Sequence, residues 1–306
     1  MFIVTAGKAF NDIDAFGCAI AYAELLRAEG KEAQAVFIGP LNHSVTAMAL
    51  EQKAPYLLSY DLKPDDQLIY VDLSDPAHFA FTGLVDTRVA ELFDHHYGWE
   101  EYWKQRLGER SHIERVGAAA TLIWEEFKKR DQAISAASAN VLALAILQNT
   151  LNFTSSETND RDTSAFGELK AFIDLAEGWE EKYFAQCAEG MHTHFEETLR
   201  SDTKIFDAYF GEQKFVFSQL EITEDPIAFL HRCKDAIDSY WSEFPGARAI
   251  MNIADISSKT SLLYSNDSAW LKQNIQPLFE SVLDVDTAMV RIPIHQRKQI
   301  LKLLQA

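Results

Sequence analysis

Val89-Ala90-Glu91-Leu92-Phe93-Asp94-His95-His96 decides how this chain is read. A short apolar run stops abruptly at an acid and two histidines. Two other stretches repeat the pattern. Phe2-Ile3-Val4-Thr5-Ala6 leads to Asn11-Asp12-Ile13-Asp14, and Leu68-Ile69-Tyr70-Val71 leads to Asp72. Short, β-branched runs of this kind read as strands of a parallel sheet. In open α/β sheets, ligands bind beyond the carboxyl ends of the strands. Carboxylates and imidazoles converging on that edge would repel or titrate unless a cation sits among them. Hard oxygen donors with imidazole suit manganese or magnesium better than a thiolate-seeking metal.

Around these runs the first half alternates strand and helix. Apolar Phe16, Ala19, Ile20, Ala23 and Leu26 fall at helical spacing, which predicts a helix over 14–29 ended by Gly30. Strands are expected at 33–38, 68–72, 89–93 and 113–116, and helices at 43–52, 117–130, 136–148 and 162–177. Repeated strand–helix units imply a parallel sheet with helices on both faces. Residues 180–198 read as a polar helical connector. Beyond it, strands at 215–217, 247–253, 261–264 and 288–294, with helices at 226–243 and 268–280, read as a smaller α+β domain. The expected division is 1–185, a linker at 186–198, and 199–306.

The 306 residues exceed the usual size of one core, which also favours two domains. With 46 acidic against 28 basic residues the net charge is −18, which argues against bulk nucleic acid or anionic membrane as a partner. A small anion stays compatible, because a metal ion and a few basic side chains reverse the field locally. No apolar run reaches ~18 residues, so no transmembrane helix is expected. The chain opens in a strand rather than a signal sequence. Cys18, Cys187 and Cys233 are odd in number and widely spaced, with neither a metal motif nor a disulfide framework. A reducing cytoplasm is the simplest expectation.

The ordered set of Asp12-x-Asp14 opening a helix, Val71-Asp72, Asp94-His95-His96 and Val116-Gly117-Ala118-Ala119-Ala120-Thr121 resembles the DHH phosphoesterase superfamily. Within it the chain is similar to the family II, manganese-dependent inorganic pyrophosphatases, whose second domain is of DHHA2 type. Leu147-Gln148-Asn149-Thr150-Leu151-Asn152-Phe153 through Asp162, Ser201-Asp202-Thr203-Lys204-Ile205-Phe206, Ala254-Asp255-Ile256 and Arg297-Lys298-Gln299 extend the likeness over nearly the whole chain. The resemblance implies metal-dependent hydrolysis of a small phosphoanhydride or phosphoester, in a cleft between domains, by a protein that pairs as a homodimer. It implies two metal sites sharing Asp72. Asp12, Asp72 and a His at position 8 would hold one ion, and Asp14, Asp72, His95 and an Asp at position 149 the other. Asp12, Asp72, Asp94 and Lys8 are the expected catalytic group, with Asp94 orienting His95 or assisting from behind the metal ligands. His96, Lys204, Arg297 and Lys298 are the expected phosphate contacts. Gly117 and Thr121 mark a turn whose N–H groups can meet phosphate oxygens.

Two positions depart from the family pattern. Lys8 stands in place of the histidine, and Asn149 in place of the aspartate. An ammonium has no lone pair for a metal, and a carboxamide ligates only without charge. Asp12, Asp14 and Asp72 supply −3 and Lys8 +1, leaving −2 where the family set carries −4. The expectation is therefore one manganese or magnesium ion, with the Lys8 ammonium in place of the other. Competing expectations are a phosphate-ligand binding protein without turnover, and a phosphodiesterase for short polyphosphates or oligonucleotides. The absence of any Gly-Gly pair counts against the oligonucleotide reading, whose DHH relatives carry a glycine run.

Overall fold

The computed structural model describes residues 1–82, 88–155, 157–207, 214–279, 283–286 and 289–305. The side chains of 283–286, Lys298 and Gln305 lie outside the described residues. The chain divides into two compact units, Met1–Gly190 and Met191–Ala306.

In the first unit, β1 (Phe2–Thr5), β2 (Ala33–Val36), β3 (Tyr56–Leu57), β4 (Gln67–Val71), β5 (Val89–Asp94) and β6 (Ser111–Ile113) form one sheet. Their order is β3-β2-β1-β4-β5-β6, and every pairing is parallel. Ile3, Val4, Leu68, Ile69, Tyr70 and Val71 are buried on both faces, which is why the strands read as unbroken apolar runs. The order reverses between β1 and β4. Connections leaving these two strands run to opposite sides, so the chain parts at their carboxyl ends. Asp12 and Asp14 follow β1 and Asp72 follows β4, at that switch point.

The helices are α1 (Ile13–Ala28), α2 (Ala47–Leu50), α3 (Glu100–Leu107), α4 (Ala119–Lys129), α5 (Ala136–Asn149), α6 (Asp160–Leu169) and α7 (Trp179–Thr193). Asp12 caps α1, its Oδ1 accepting the N–H groups of Asp14 and Ala15 at 3.0 Å each. Gly30, at φ +78°, lets the chain leave that helix as expected. α1 and α5 are apolar on nearly every face and buried against each other. Their approach demands Gly17, where an added Cβ would lie 2.8 Å from the Val141 carbonyl oxygen.

In the second unit, α8 (Phe195–Ser201) leads into a sheet of β7 (Thr203–Phe206), β8 (Phe215–Ile222), β9 (Arg248–Asp255), β10 (Thr260–Ser265), β11 (Leu283–Asp286) and β12 (Met289–Pro293). The order is β11-β12-β10-β9-β8-β7, antiparallel except for β8 and β9. That parallel pair needs a crossover, which α9 (Pro226–Trp241) provides. α9 packs Phe229, Leu230, Ile237 and Trp241 on one side of the sheet. Leu271 of α10 (Ser268–Asn274) and Ile300 of α11 (Arg297–Gln305) close the other. Among the described residues no helix is long and apolar enough to cross a membrane, and no disulfide is formed.

Candidate metal centre

Asp72 closes β4 in the left-handed region, at φ +56°. Outside glycine this conformation is costly and persists only where the surroundings impose it. Here the Asp72 N–H donates to the Phe93 carbonyl at 2.8 Å, and the buried Trp103 indole donates to the Ser74 carbonyl at 2.6 Å. These bonds turn the Asp72 carboxylate toward the end of β5. Its Oδ1 lies 3.3 Å from Nε2 of His95 and 3.9 Å from Nδ1 of His96. Ligand atoms of Asp72, His95 and His96 all fall within 4.8 Å of one another.

His95 is buried, and its Nδ1 is 3.1 Å from the Val116 carbonyl oxygen. A carbonyl only accepts, so Nδ1 carries a proton, and Nε2 faces Asp72 and, at 4.0 Å, Oδ2 of Asp14. A histidine so arranged suits a metal, with one nitrogen anchored and the other offered. Of the two parts expected of Asp94, its contacts fit assistance from behind the ligands. Asp94 accepts the backbone N–H groups of His95 and His96 at 2.8 and 3.2 Å, and Nδ1 of His96 at 2.7 Å. It therefore shapes the turn and orients His96, because only that ring folds back over the carboxylate. Burial alone would raise the Asp94 pKa, but the His96 charge and hydrogen bond, with His95, outweigh it and hold the carboxyl below its ordinary range.

Asp14 is fully buried. Oδ2 accepts the N–H of Ala119 and Oδ1 that of Ala120, each at 2.8 Å. The N-cap of α4 is Ala118, which has no capping side chain, so a carboxylate from another helix takes the place. Burial and then the Asp12 charge push the Asp14 carboxyl up to about 7, against those two bonds. A cation among these acids would relieve that pressure, so the donor set fits a divalent ion. The N–H groups at this turn meet protein carboxylates rather than open space. Gly117 donates to Asp162 at 2.8 Å, and the Thr121 hydroxyl does so at 2.7 Å.

The contacts bring together Asp14, Asp72, Asp94, His95 and His96. Asp12 stands beside them, and its charge acts with those of Asp14 and Asp72 on buried Cys18, whose thiol they and burial push up. Lys8 is exposed, and its backbone N–H donates to the His78 carbonyl. Asn149 is the half-buried last residue of α5. In the second unit Lys204 is exposed on β7. Arg297 is half-buried at the start of α11, its guanidinium donating to the carbonyls of Asp202 and Phe217. Burial pulls its pKa down, against the pull of Asp202 and Glu221. The Lys298 side chain lies outside the described residues. Sequence reasoning gave no role to Asp162 or to the Val116 carbonyl. A capping box, Asn159-x-x-Asp162, was the available signal for the first, and nothing signals the second.

The fold is a doubly wound parallel sheet with acids and histidines at its switch point, followed by a mixed-sheet unit. No family model matches the chain. In sequence the chain is similar to proteins assigned as manganese-dependent inorganic pyrophosphatases. It is 28% identical over 268 residues to a Deinococcus radiodurans protein assigned as one, covering 82% of this chain and 81% of that protein. It is 25% identical over 310 residues to the Bacillus subtilis manganese-dependent inorganic pyrophosphatase, covering 99% and 97%. In fold it matches a Methanococcus jannaschii structure assigned to the family II inorganic pyrophosphatases, with a TM-score of 0.73, 18% identity and full coverage of both chains.

Proposed function

We propose that the chain is a metal-dependent phosphohydrolase acting on a small phosphoanhydride, with pyrophosphate as the reference substrate. The supporting observation is the convergence of Asp72, His95 and His96 within 4.8 Å at the switch point. Asp14, Asp72 and His95, with the Asn149 carboxamide, would hold one manganese or magnesium ion rather than two. Such an ion supplies Lewis-acid charge stabilisation and lowers the pKa of bound water. Asp14 also ties α1 to α4, so it fixes the depth of the site as well as contributing charge. His96 has its Nδ1 on Asp94 and a half-exposed ring, so Nε2 is presented outward. When protonated it donates to a phosphate oxygen while Asp94 balances the imidazolium. Lys8 adds positive charge where the relatives' pattern would add a second ion, and Lys204 is the proposed phosphate contact of the second unit. Arg297, committed to backbone carbonyls, supports the strand that carries Lys204.

The test is phosphate release from pyrophosphate by the purified chain, with and without manganese, beside the variant Lys8→His/Asn149→Asp. Turnover by the native chain with one manganese per chain is the expected result. Two ions in the native chain at equilibrium would overturn the single-ion reading. No turnover in the native chain, gained in the double variant, would assign the chain to phosphate-ligand binding without hydrolysis.

A further inference from the structure

One peptide group joins two side chains that the sequence holds 67 residues apart, His95 and Asp162. The carbonyl of Val116 receives Nδ1 of His95 at 3.1 Å. The N–H on the far side of the same peptide, that of Gly117, donates to Oδ2 of Asp162 at 2.8 Å. Asp162 is wholly buried. Its Oδ2 also accepts the Asn159 N–H at 2.9 Å, and its Oδ1 accepts the Thr121 hydroxyl at 2.7 Å. Position 117 admits only glycine, since an added Cβ would lie 2.8 Å from Cγ2 of Thr150 and 3.0 Å from Oδ2 of Asp162.

We infer that Asp162 is a positioning residue for the metal centre, acting on His95 through the Val116–Gly117 peptide; this rests on the reading of the cluster as a metal site. A carboxylate on the N–H side of a peptide draws its dipole into line and strengthens the carbonyl as an acceptor. The carbonyl then holds the proton on Nδ1, which makes Nε2 more basic toward a cation shared with Asp72. Histidine ligands commonly obtain this from a carboxylate or a carbonyl directly, and losing such a partner weakens metal binding by roughly 10–100-fold. Here the two are combined in series. The geometry also explains why the Asp162 carboxylate is buried with no side-chain cation among the described residues. Two N–H groups and a hydroxyl point at it, enough to offset part of its lost hydration.

The test uses ¹⁵N spectra of the histidine rings in the metal-free full chain above pH 8, with manganese titrated afterwards. In the native chain His95 is expected as the Nδ1–H tautomer. In Asp162→Asn, which keeps the shape and loses the charge, it is expected to become a mixture, with manganese affinity reduced at least tenfold. Thr121→Val, which removes the other arm of the clamp, is the control and is expected to leave the tautomer unchanged. An Nε2–H tautomer in the native chain overturns the inference, and this measurement needs no variant to fold. An unchanged tautomer in Asp162→Asn overturns it equally. Failure of the native chain to bind manganese, with the tautomer responding as expected, would overturn the proposed function and leave the peptide relay standing.

Discussion

His43 lies beside Ser44, whose hydroxyl accepts the Ile13 N–H at 2.9 Å and so steadies the start of α1. Nδ1 of His43 is buried with no hydrogen-bond partner among the described residues, and its Cβ and backbone lie against Gly190. Burial pushes its pKa down to about 4. Between the unfolded value near 6.5 and this folded value, the unfolded chain binds more protons. Stability is therefore full above pH 6.5 and falls as pH drops toward 4. The full difference would be about 3 kcal/mol, and partial exposure of the ring brings it to about 2 kcal/mol. Urea unfolding of His43→Gln at pH 7 and pH 4.5 is expected to show an acid loss smaller by that amount. Equal acid losses in both proteins would exclude His43 as the cause. At this scale much of the candidate site was legible, because Asp12, Asp14, Asp72 and Asp94-His95-His96 end apolar runs. What was hidden was how each lone pair is used. That Asp14 caps a remote helix, and that Asp94 faces His96, depend on side-chain directions and on a helix beginning with Ala118. No single-sequence pattern carries those.

Elements differ in legibility for physical reasons. α1 was read to within a residue because Asp12 and Gly30 punctuate it. α6 was misjudged at both ends. The capping box starts it earlier, at Asp160, and Asn140 holds the Asp174 backbone N–H at 3.2 Å and its carboxylate, drawing the chain out of helix after Leu169. β6 lies at 111–113 rather than 113–116, since Glu114 to Val116 are needed to enter the turn at Gly117. β7 is a polar edge strand with little apolar alternation, and its pairing with β8 is tertiary information. The contact of α1 and α5 gives the clearest prediction at this scale. Gly17→Ala must push the Val141 backbone away from a 2.8 Å approach, and a carbonyl within a helix cannot move alone. Separating two helices that are buried on nearly all faces is expected to cost about 2–3 kcal/mol. Chemical denaturation measures it, and a loss below ~0.5 kcal/mol would mean that the helices do not meet there. Because Asp12 and Asp14 open α1, the same variant is expected to weaken manganese binding.

For the whole molecule, the net charge of −18 and the division into two cores act together. The bulk charge was legible and argued against nucleic-acid backbone as a partner. In the sequence, strand–helix alternation gives way to strand pairs after the polar connector. The side chains joined by the site contacts, Asp14, Asp72, Asp94, His95 and His96, all belong to Met1–Gly190. A ligand that binds the folded state alone stabilises it by RT ln(1 + [L]/Kd), about 2.7 kcal/mol at a hundred times Kd. Amides that exchange only when the first core opens should then slow by up to ~100-fold. Hydrogen exchange with and without manganese is therefore expected to show added protection in β1, β4 and β5, with β8 and β9 unchanged. His95→Ala should abolish the added protection, and raising the salt should reduce it, because distant acidic side chains assist the ion only through a screened field. Equal slowing of β8 and β9 would show that the two cores open as one cooperative unit. No slowing in β1, β4 or β5 would remove the metal from this end of the sheet, whatever the likeness to manganese enzymes.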